Sequence, residues 1–222
     1  MEEAHCTTHD QLAAEAEALR AWFEENLEQQ WQPVAYSNAD VVLQELPSIG
    51  TVHRTRCRVH CRCSYESMFN FNYYATIDDL RAYDKSMLTY AVFDRVPDTE
   101  IVVTETSFSV MWPVAPRAFV SVHDNYPTEH GHAFVQGSIV NDKAVPSSKC
   151  VVAYKRSGLL IERDPEDPAR CYIERVIMMD PRGSIPAFVA NKYKTNDAER
   201  LQELDAYVVK LEQSGKIKDF AK

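Results

Sequence analysis

Glycine is scarce in this chain, with 6 in 222 residues, and no Gly-rich run of the kind that cradles a phosphate or a dinucleotide is present. Long apolar runs are missing as well: no stretch approaches the ~18 consecutive apolar residues of a membrane-spanning helix. The opening Met1-Glu2-Glu3-Ala4-His5 has neither the basic start nor the apolar core of a signal peptide. Glu2 and the ending Phe220-Ala221-Lys222 fit no myristoylation or prenylation signal. Basic residues are in deficit, 24 Lys and Arg against 33 Asp and Glu, for a formal charge of −9. Only the stretch Arg54 to Arg62 is locally basic, which argues against a nucleic-acid partner, since phosphate neutralisation needs clustered cations. Of the 6 cysteines, Cys57, Cys61 and Cys63 crowd together while Cys6, Cys150 and Cys171 are scattered. That is no secreted disulfide framework, so free thiols and a cytoplasmic location are expected.

Catalytic and metal-binding patterns are lacking too. There is no G-x-S-x-G elbow, and His123 and Asp124 are adjacent, so on a strand they face opposite ways. His130-x-His132 beside the cysteines matches neither C-x-x-C nor zinc-finger spacing, and buried cysteines on an alternating strand account for the cluster as small hydrophobes. No metal or other cofactor is expected.

What the sequence does have is an ordinary globular balance, 45% hydrophobic and 26% charged, with no Gly/Ser- or Pro-rich linker to divide it. One domain over 10–213 is expected, between a flexible stretch 1–9 and a tail 214–222. Asp10 is positioned to cap a helix whose Leu12, Ala16, Leu19, Phe23 and Leu27 recur at helical spacing and which ends before Pro33. Val41 to Leu46 reads as a strand. Thr51 to Ser64 alternates strictly, with His53, Thr55, Cys57, Val59, Cys61 and Cys63 on one face and Arg54, Arg56, Arg58, His60 and Arg62 on the other. Short helical pieces follow to Met87, the second opened by Asp78 or Asp79. Their Tyr65, Phe69, Phe71, Tyr73 and Tyr74 lack interleaved cations and read as packing residues rather than a base-stacking platform.

Further strands are expected at Ile101 to Val110, Ala118 to His123, Ala133 to Val140, Val151 to Arg156, Leu159 to Arg163 and Cys171 to Met179, with Ser157-Gly158 as a tight hairpin. With no helix between them they must pair mostly antiparallel. Ser184 and Pro186 then open a long helix to about Gln213, striped by Phe188, Val189, Tyr193, Leu201, Leu204, Val208 and Leu211. The expected class is α+β: a curved antiparallel sheet wrapped around the long C-terminal helix, with an N-terminal helix besides.

Four motifs in order carry a family resemblance. Met111-Trp112-Pro113-Val114-Ala115-Pro116-Arg117-Ala118-Phe119-Val120 resembles the W-P-V-S-P-R-D-F-V signature of the steroidogenic acute regulatory protein-related lipid-transfer (START) domain. Upstream, Leu80-Arg81-Ala82-Tyr83-Asp84-Lys85 is similar to its R-x-x-W-D-K segment, with Tyr83 in place of Trp. Downstream, Ser157-Gly158-Leu159-Leu160-Ile161-Glu162 and Asp180-Pro181-Arg182-Gly183-Ser184-Ile185-Pro186 resemble S-G-W-L-I-E and D-P-K-G-W-L-P. Ala118 and Ser184 also depart from the pattern.

The resemblance implies a helix-grip fold enclosing a hydrophobic tunnel for one lipid, a sterol, ceramide, phospholipid or fatty acid, and transfer of that lipid between membranes. About 30 methylenes would cost ~24 kcal/mol to leave in water, so an aqueous carrier must enclose them. The gate it implies is the C-terminal helix with a loop mapped to Ile139 to Ser148, in which Val140, Val145 and Pro146 are the apolar members. Transient membrane contact would be aided by Lys192, Lys194 and Lys210, and the protein is expected as a monomer. An enzyme on the same hollow fold, cyclase- or hydratase-like, and a lipid-sensing interaction module remain the alternatives.

Candidate lipid-binding residues are Glu105, His123, Gln136, Phe188, Val189 and Tyr193. Glu105 lies mid-strand, either turned inward to a hydrogen bond with His123 or outward to solvent, and one residue of register decides between them. His123 stands where some sterol-binding relatives carry an arginine paired to an acid, and Gln136 where ceramide-type relatives carry a headgroup-binding amide. The more ordinary reading of both is a surface contact, since a histidine at a strand end and a glutamine on a half-exposed strand usually meet solvent. Phe188, Val189 and Tyr193 are read as core residues that also line the tunnel.

Overall fold

The computed structural model describes residues 2–110, 114–185 and 187–217, with the side chains of 187–194 outside that description. In chain order the first half contains β1 (Ala4–His5), α1 (His9–Glu28), β2 (Gln32–Val34), β3 (Val41–Ile49), β4 (Val52–Cys61), α2 (Tyr65–Tyr74) and α3 (Ile77–Tyr83). The second half contains β5 (Met87–Arg95), β6 (Val102–Phe108), β7 (Arg117–Pro127), β8 (Gly131–Val140), β9 (Val151–Val152), β10 (Tyr154–Arg163), β11 (Cys171–Asp180) and α4 (Ala187–Gln213).

The sheet runs β2-β3-β4-β11-β10-β8-β7-β6-β5, antiparallel throughout this path, with β1 added in parallel to β8 and β9 in parallel to β7. Its middle follows chain order because short turns force neighbours in sequence to pair, while β4 meets β11 and joins the two ends of the chain. Curved around α4, it forms the expected helix-grip. The stretch before α1, expected to be flexible, contributes β1, whose Ala4 and His5 pair with Ile139 and Val140.

Each face of the sheet has its own helical cover, and the alternation of side chains sorts residues between them. On the outer face α1 buries Leu12, Ala16, Leu19 and Phe23 against Val103, Val122, Val135 and Val176. Thr8 rather than Asp10 caps α1, in a capping box with Gln11. The second short helix is likewise capped by Thr76, with Asp79 as the reciprocal partner. On the inner face α4 lays Ala198, Leu201, Leu204 and Val208 against Cys57, Val59, Cys61 and Ile173. The aromatic run packs as expected: Phe71 meets Tyr83 and Tyr207, and Phe69 meets His132 and Phe134.

The alternation of β4 holds throughout. Thr55, Cys57, Val59 and Cys61 are buried inward, and the outward cations are taken by carboxylates: Arg56 and Arg58 by Glu174, Arg58 also by Glu162, and His60 by Asp164. The basic stretch is thus spent inside the protein's own surface.

Two expectations are corrected. β5, with shifts of register against β6 between Met87 and Thr89 and again between Val92 and Asp94, was missing from the sequence reading. Its exposed edge position removes the apolar alternation that would mark it. Ser157-Gly158 is not a hairpin, because β10 runs unbroken from Tyr154 to Arg163 and pairs with β8 and β11 along its length. Gly158 is there because α1 crosses the strand: a Cβ at Gly158 would stand 2.1 Å from the Phe23 ring, and one at Gly137 would stand 2.5 Å from Leu19.

Candidate functional site

Between the inner face of the sheet and α4 lies a cavity of about 600 Å³. Its floor is a row of directly opposed residues crossing six strands, Val102, His123, Gln136, Ser157, Ile177 and Thr55. Phe108, Phe119, Phe134, Leu159 and Met179 supply apolar wall, and Asn196, Asp197, Arg200 and Leu204 of α4 close it from above. Tyr83, Asp84 and Ser86 form one side. The lining sets this apolar wall beside many polar and charged side chains, a mixture that suits a molecule with an apolar body and a polar end.

Charge in the cavity is organised by pairs. Arg200 donates to Asp84 and, at 2.9 Å, to Ser86 Oγ. Burial alone would raise the Asp84 carboxyl, but the hydrogen bonds from Arg200 and Ser86 outweigh it and hold it below the usual range. Arg175 donates to the Asp197 carboxylate and, at 3.3 Å, to its backbone carbonyl, tying β11 to α4. Arg117 of the proline-rich motif is buried and donates to the carbonyls of Ala115, Pro181 and Arg182, at 2.5, 2.7 and 2.8 Å. It thereby joins the motifs around 115 and 181 into one corner of the fold. Lys155 projects inward from β10, opposite Met179 of β11, with its Nζ 4.9 Å from the centre of the Phe119 ring. Burial, with Arg175 and Arg200 nearby, pushes its ammonium down to about 8.

The sequence-derived candidates fall in different places. His123 and Gln136 are cross-strand partners and both line the cavity. Burial, then the charge of Lys155, pulls the His123 imidazole down to about 3, so it is neutral at physiological pH. Glu105 does not meet it. The register puts Val102, Thr104 and Thr106 on the inner face and Glu105 on the other, with Val103 and Ser107. The contact to His123 Nε2 is made instead by Thr104 Oγ1 at 2.8 Å. Glu105 is 9% exposed and accepts from Thr89 Oγ1 at 3.2 and 3.4 Å. The side chains of Phe188, Val189 and Tyr193 lie outside the described residues, as do those of Lys192 and Lys194, and so do Met111, Trp112, Pro113 and Pro186 of the motifs.

The loop after β8 is anchored at its start and exposed at its tip. Asn141 donates to the Cys6 carbonyl at 2.7 Å, Lys143 meets Asp94 at 2.6 Å, and Ala144 is buried. Val140 and Val145 are 47% and 78% exposed, and Pro146 is partly exposed.

Sequence reading missed Lys155, Ser157, Thr104 and the α4 pairs. Lys155 and Ser157 were hidden by the supposed hairpin: with the strand read through Gly158, alternation sets Lys155, Ser157, Leu159 and Ile161 on one face and exposes a lysine on an otherwise inward row. Among the described residues no group of three or more His, Cys, Asp or Glu is arranged to hold a metal ion, and no helix is long and apolar enough to cross a membrane. The clustered cysteines are free thiols, and burial pushes the Cys57 thiol up to about 11.

The comparisons with known proteins agree with this architecture. Human STARD10 superposes with a TM-score of 0.76 at 19% identity, over 96% of this chain and 84% of that one. Human StAR-related lipid transfer protein 5 superposes with a TM-score of 0.80 at 17% identity, over 92% of this chain and 100% of that one. A STAR-related lipid transfer protein from Xanthomonas axonopodis gives 0.66 at 16% identity, over 81% and 99% of the two chains. At these identities the likeness is one of fold. No match to a curated protein was found. The START domain family matches residues 11–214, a span that contains all four motifs, and the chain belongs to that family.

Proposed function

We propose that the protein binds a single lipid in the cavity beneath α4 and carries it between membranes. The observation that supports this reading most directly is the cavity of about 600 Å³ itself, with aromatic and aliphatic side chains on its wall, a row of neutral polar groups on its floor and charged side chains at its sides. His123, Gln136 and Ser157, contiguous across three strands, orient the polar end of the lipid; with His123 neutral, they do so by hydrogen bonds. The relatives named as lipid transfer proteins favour the same reading.

Entry requires the lid to move. In this reading the loop 139–148 and the N-terminal part of α4 lift at a membrane surface, with Val140, Val145 and Pro146 entering the apolar layer. The protein acts as a monomer in the cytoplasm and leaves the membrane after loading. Native mass spectrometry of protein purified from a eukaryotic extract is expected to show one lipid per chain, and labelled lipid is expected to move from donor to acceptor vesicles faster with the protein than without. An empty cavity that turns over an acyl or polyketide substrate would replace carriage with catalysis.

A further inference from the structure

We propose that the cavity takes a single-chain lipid whose anionic end, a carboxylate or a phosphate, is held by Lys155. The proposal rests on the lipid-cavity reading and names the ligand class of that site. Lys155 lines the cavity, and its Nζ lies 4.9 Å from the centre of the Phe119 ring. Its side chain therefore crosses β8 at the small residue Ser138, whose hydroxyl accepts from the Lys155 backbone amide at 2.9 Å.

Among the described residues no carboxylate answers this ammonium. The carboxylates that line the cavity are directed elsewhere: Asp84 to Arg200, Asp197 to Arg175 through Oδ1 with its Oδ2 unpartnered, Asp124 to Arg20, and Glu100 to the Tyr73 hydroxyl, and none of them acts on the Lys155 charge. The charged neighbours on the elements packed around it are cations, Arg175 on β11 and Arg200 on α4, and His123 on β7 is neutral. Held down to about 8, the group is still about nine-tenths protonated at pH 7, one unit below.

Lys155 is partly buried, so its ammonium has lost part of its hydration, and the face of one aromatic ring is a weak substitute for a counter-ion. An anionic ligand end would supply the missing term. Size fits one chain: about 600 Å³ lies within the range of small-molecule pockets and suits one long acyl chain with its head.

The test measures equilibrium binding of labelled oleate, oleoyl lysophosphatidate and oleyl alcohol to the full chain, to Lys155→Met and to Lys155→Arg. At pH 7 the wild type is expected to bind at least one of the two anions tenfold or more tightly than the alcohol. Lys155→Met should lose that preference through the anion alone, and whichever anion binds tighter assigns the end as carboxylate or phosphate. Anion affinity of the wild type should fall as pH rises through about 8, and that fall should be absent in Lys155→Arg, whose guanidinium stays charged. This profile decides the matter even if Lys155→Met does not fold. Wild-type affinity for both anions no greater than for the alcohol, or a preference that survives in Lys155→Met, overturns the proposal and leaves the lipid cavity standing. A bound diacyl lipid with no binding of any single-chain lipid overturns it in the same way, while failure to bind lipid of any class overturns the cavity reading itself.

Discussion

His123 shows how little local sequence says about a residue's charge. Its neighbour in sequence is Asp124 and its expected partner was Glu105, both acidic, yet both lie on the opposite face of the sheet, and the imidazole sits against Thr104 with the charge of Lys155 acting on it. The consequence is a pH dependence with a fixed sign. The native imidazole resists protonation to about 3 while the unfolded one takes a proton near 6.5. The contribution to stability is therefore full above 6.5 and is lost as pH falls from there toward 3. Urea unfolding at pH 7 and pH 5 should show a larger loss for the wild type than for His123→Asn. Gly158 offers a second test. Gly158→Ala forces a methyl against Phe23 and should destabilise by about 1–3 kcal/mol, and combining it with Phe23→Leu should give less than the sum of the two losses. Additive losses would mean that the helix and strand do not meet there.

Among the elements, α1 and the loop after β8 take opposite parts. The helix is fixed by the Thr8–Gln11 capping box and by its buried stripe, so Thr8→Ala should lower stability by about 1 kcal/mol in a denaturant titration without altering lipid transfer. The loop is pinned through Asn141 and Ala144 and bare at Val140 and Val145. If those valines enter a membrane, burial at about 1.5 kcal/mol or more each makes the pair worth roughly a hundredfold in rate. Val140→Ser with Val145→Ser should then slow vesicle-to-vesicle transfer strongly while leaving lipid affinity unchanged. Unaltered transfer would remove the loop from the mechanism.

For the molecule as a whole, the formal charge of −9 opposes long residence on an anionic surface, as a carrier that must depart requires. At low salt the protein should sediment less with phosphatidylserine-containing vesicles than with neutral ones, and the gap should close near 0.5 M salt as the screening length shrinks to a few Å. A gap that persisted in salt would point to something other than net charge. The charges that matter within the cavity form a separate system. Arg200 with Asp84 and Arg175 with Asp197 clamp α4 to α3 and the sheet, and these clamps leave Lys155 as the group whose balance a ligand would complete.

The family, the helix-grip class and the two long helices were legible because they depend on local periodicity and on motifs that survive substitution: the stripe Leu201, Leu204, Val208 and the alternation of Thr55, Cys57, Val59 and Cys61 each name a buried face without knowledge of what covers it. Pairing across the sheet was not legible. Whether Thr104 or Glu105 faces inward is a matter of one residue of register, fixed by the packing of Val103 into the core that α1 covers, and whether Ser157-Gly158 turns or runs on is fixed by Phe23 lying across the strand. Both contacts join residues far apart in the chain, and they also decide that Lys155 faces the cavity. The sequence by itself determined the family, the two long helices and the apolar faces; which polar side chains share the enclosed space was decided only when helix α1 settled on one face and α4 on the other.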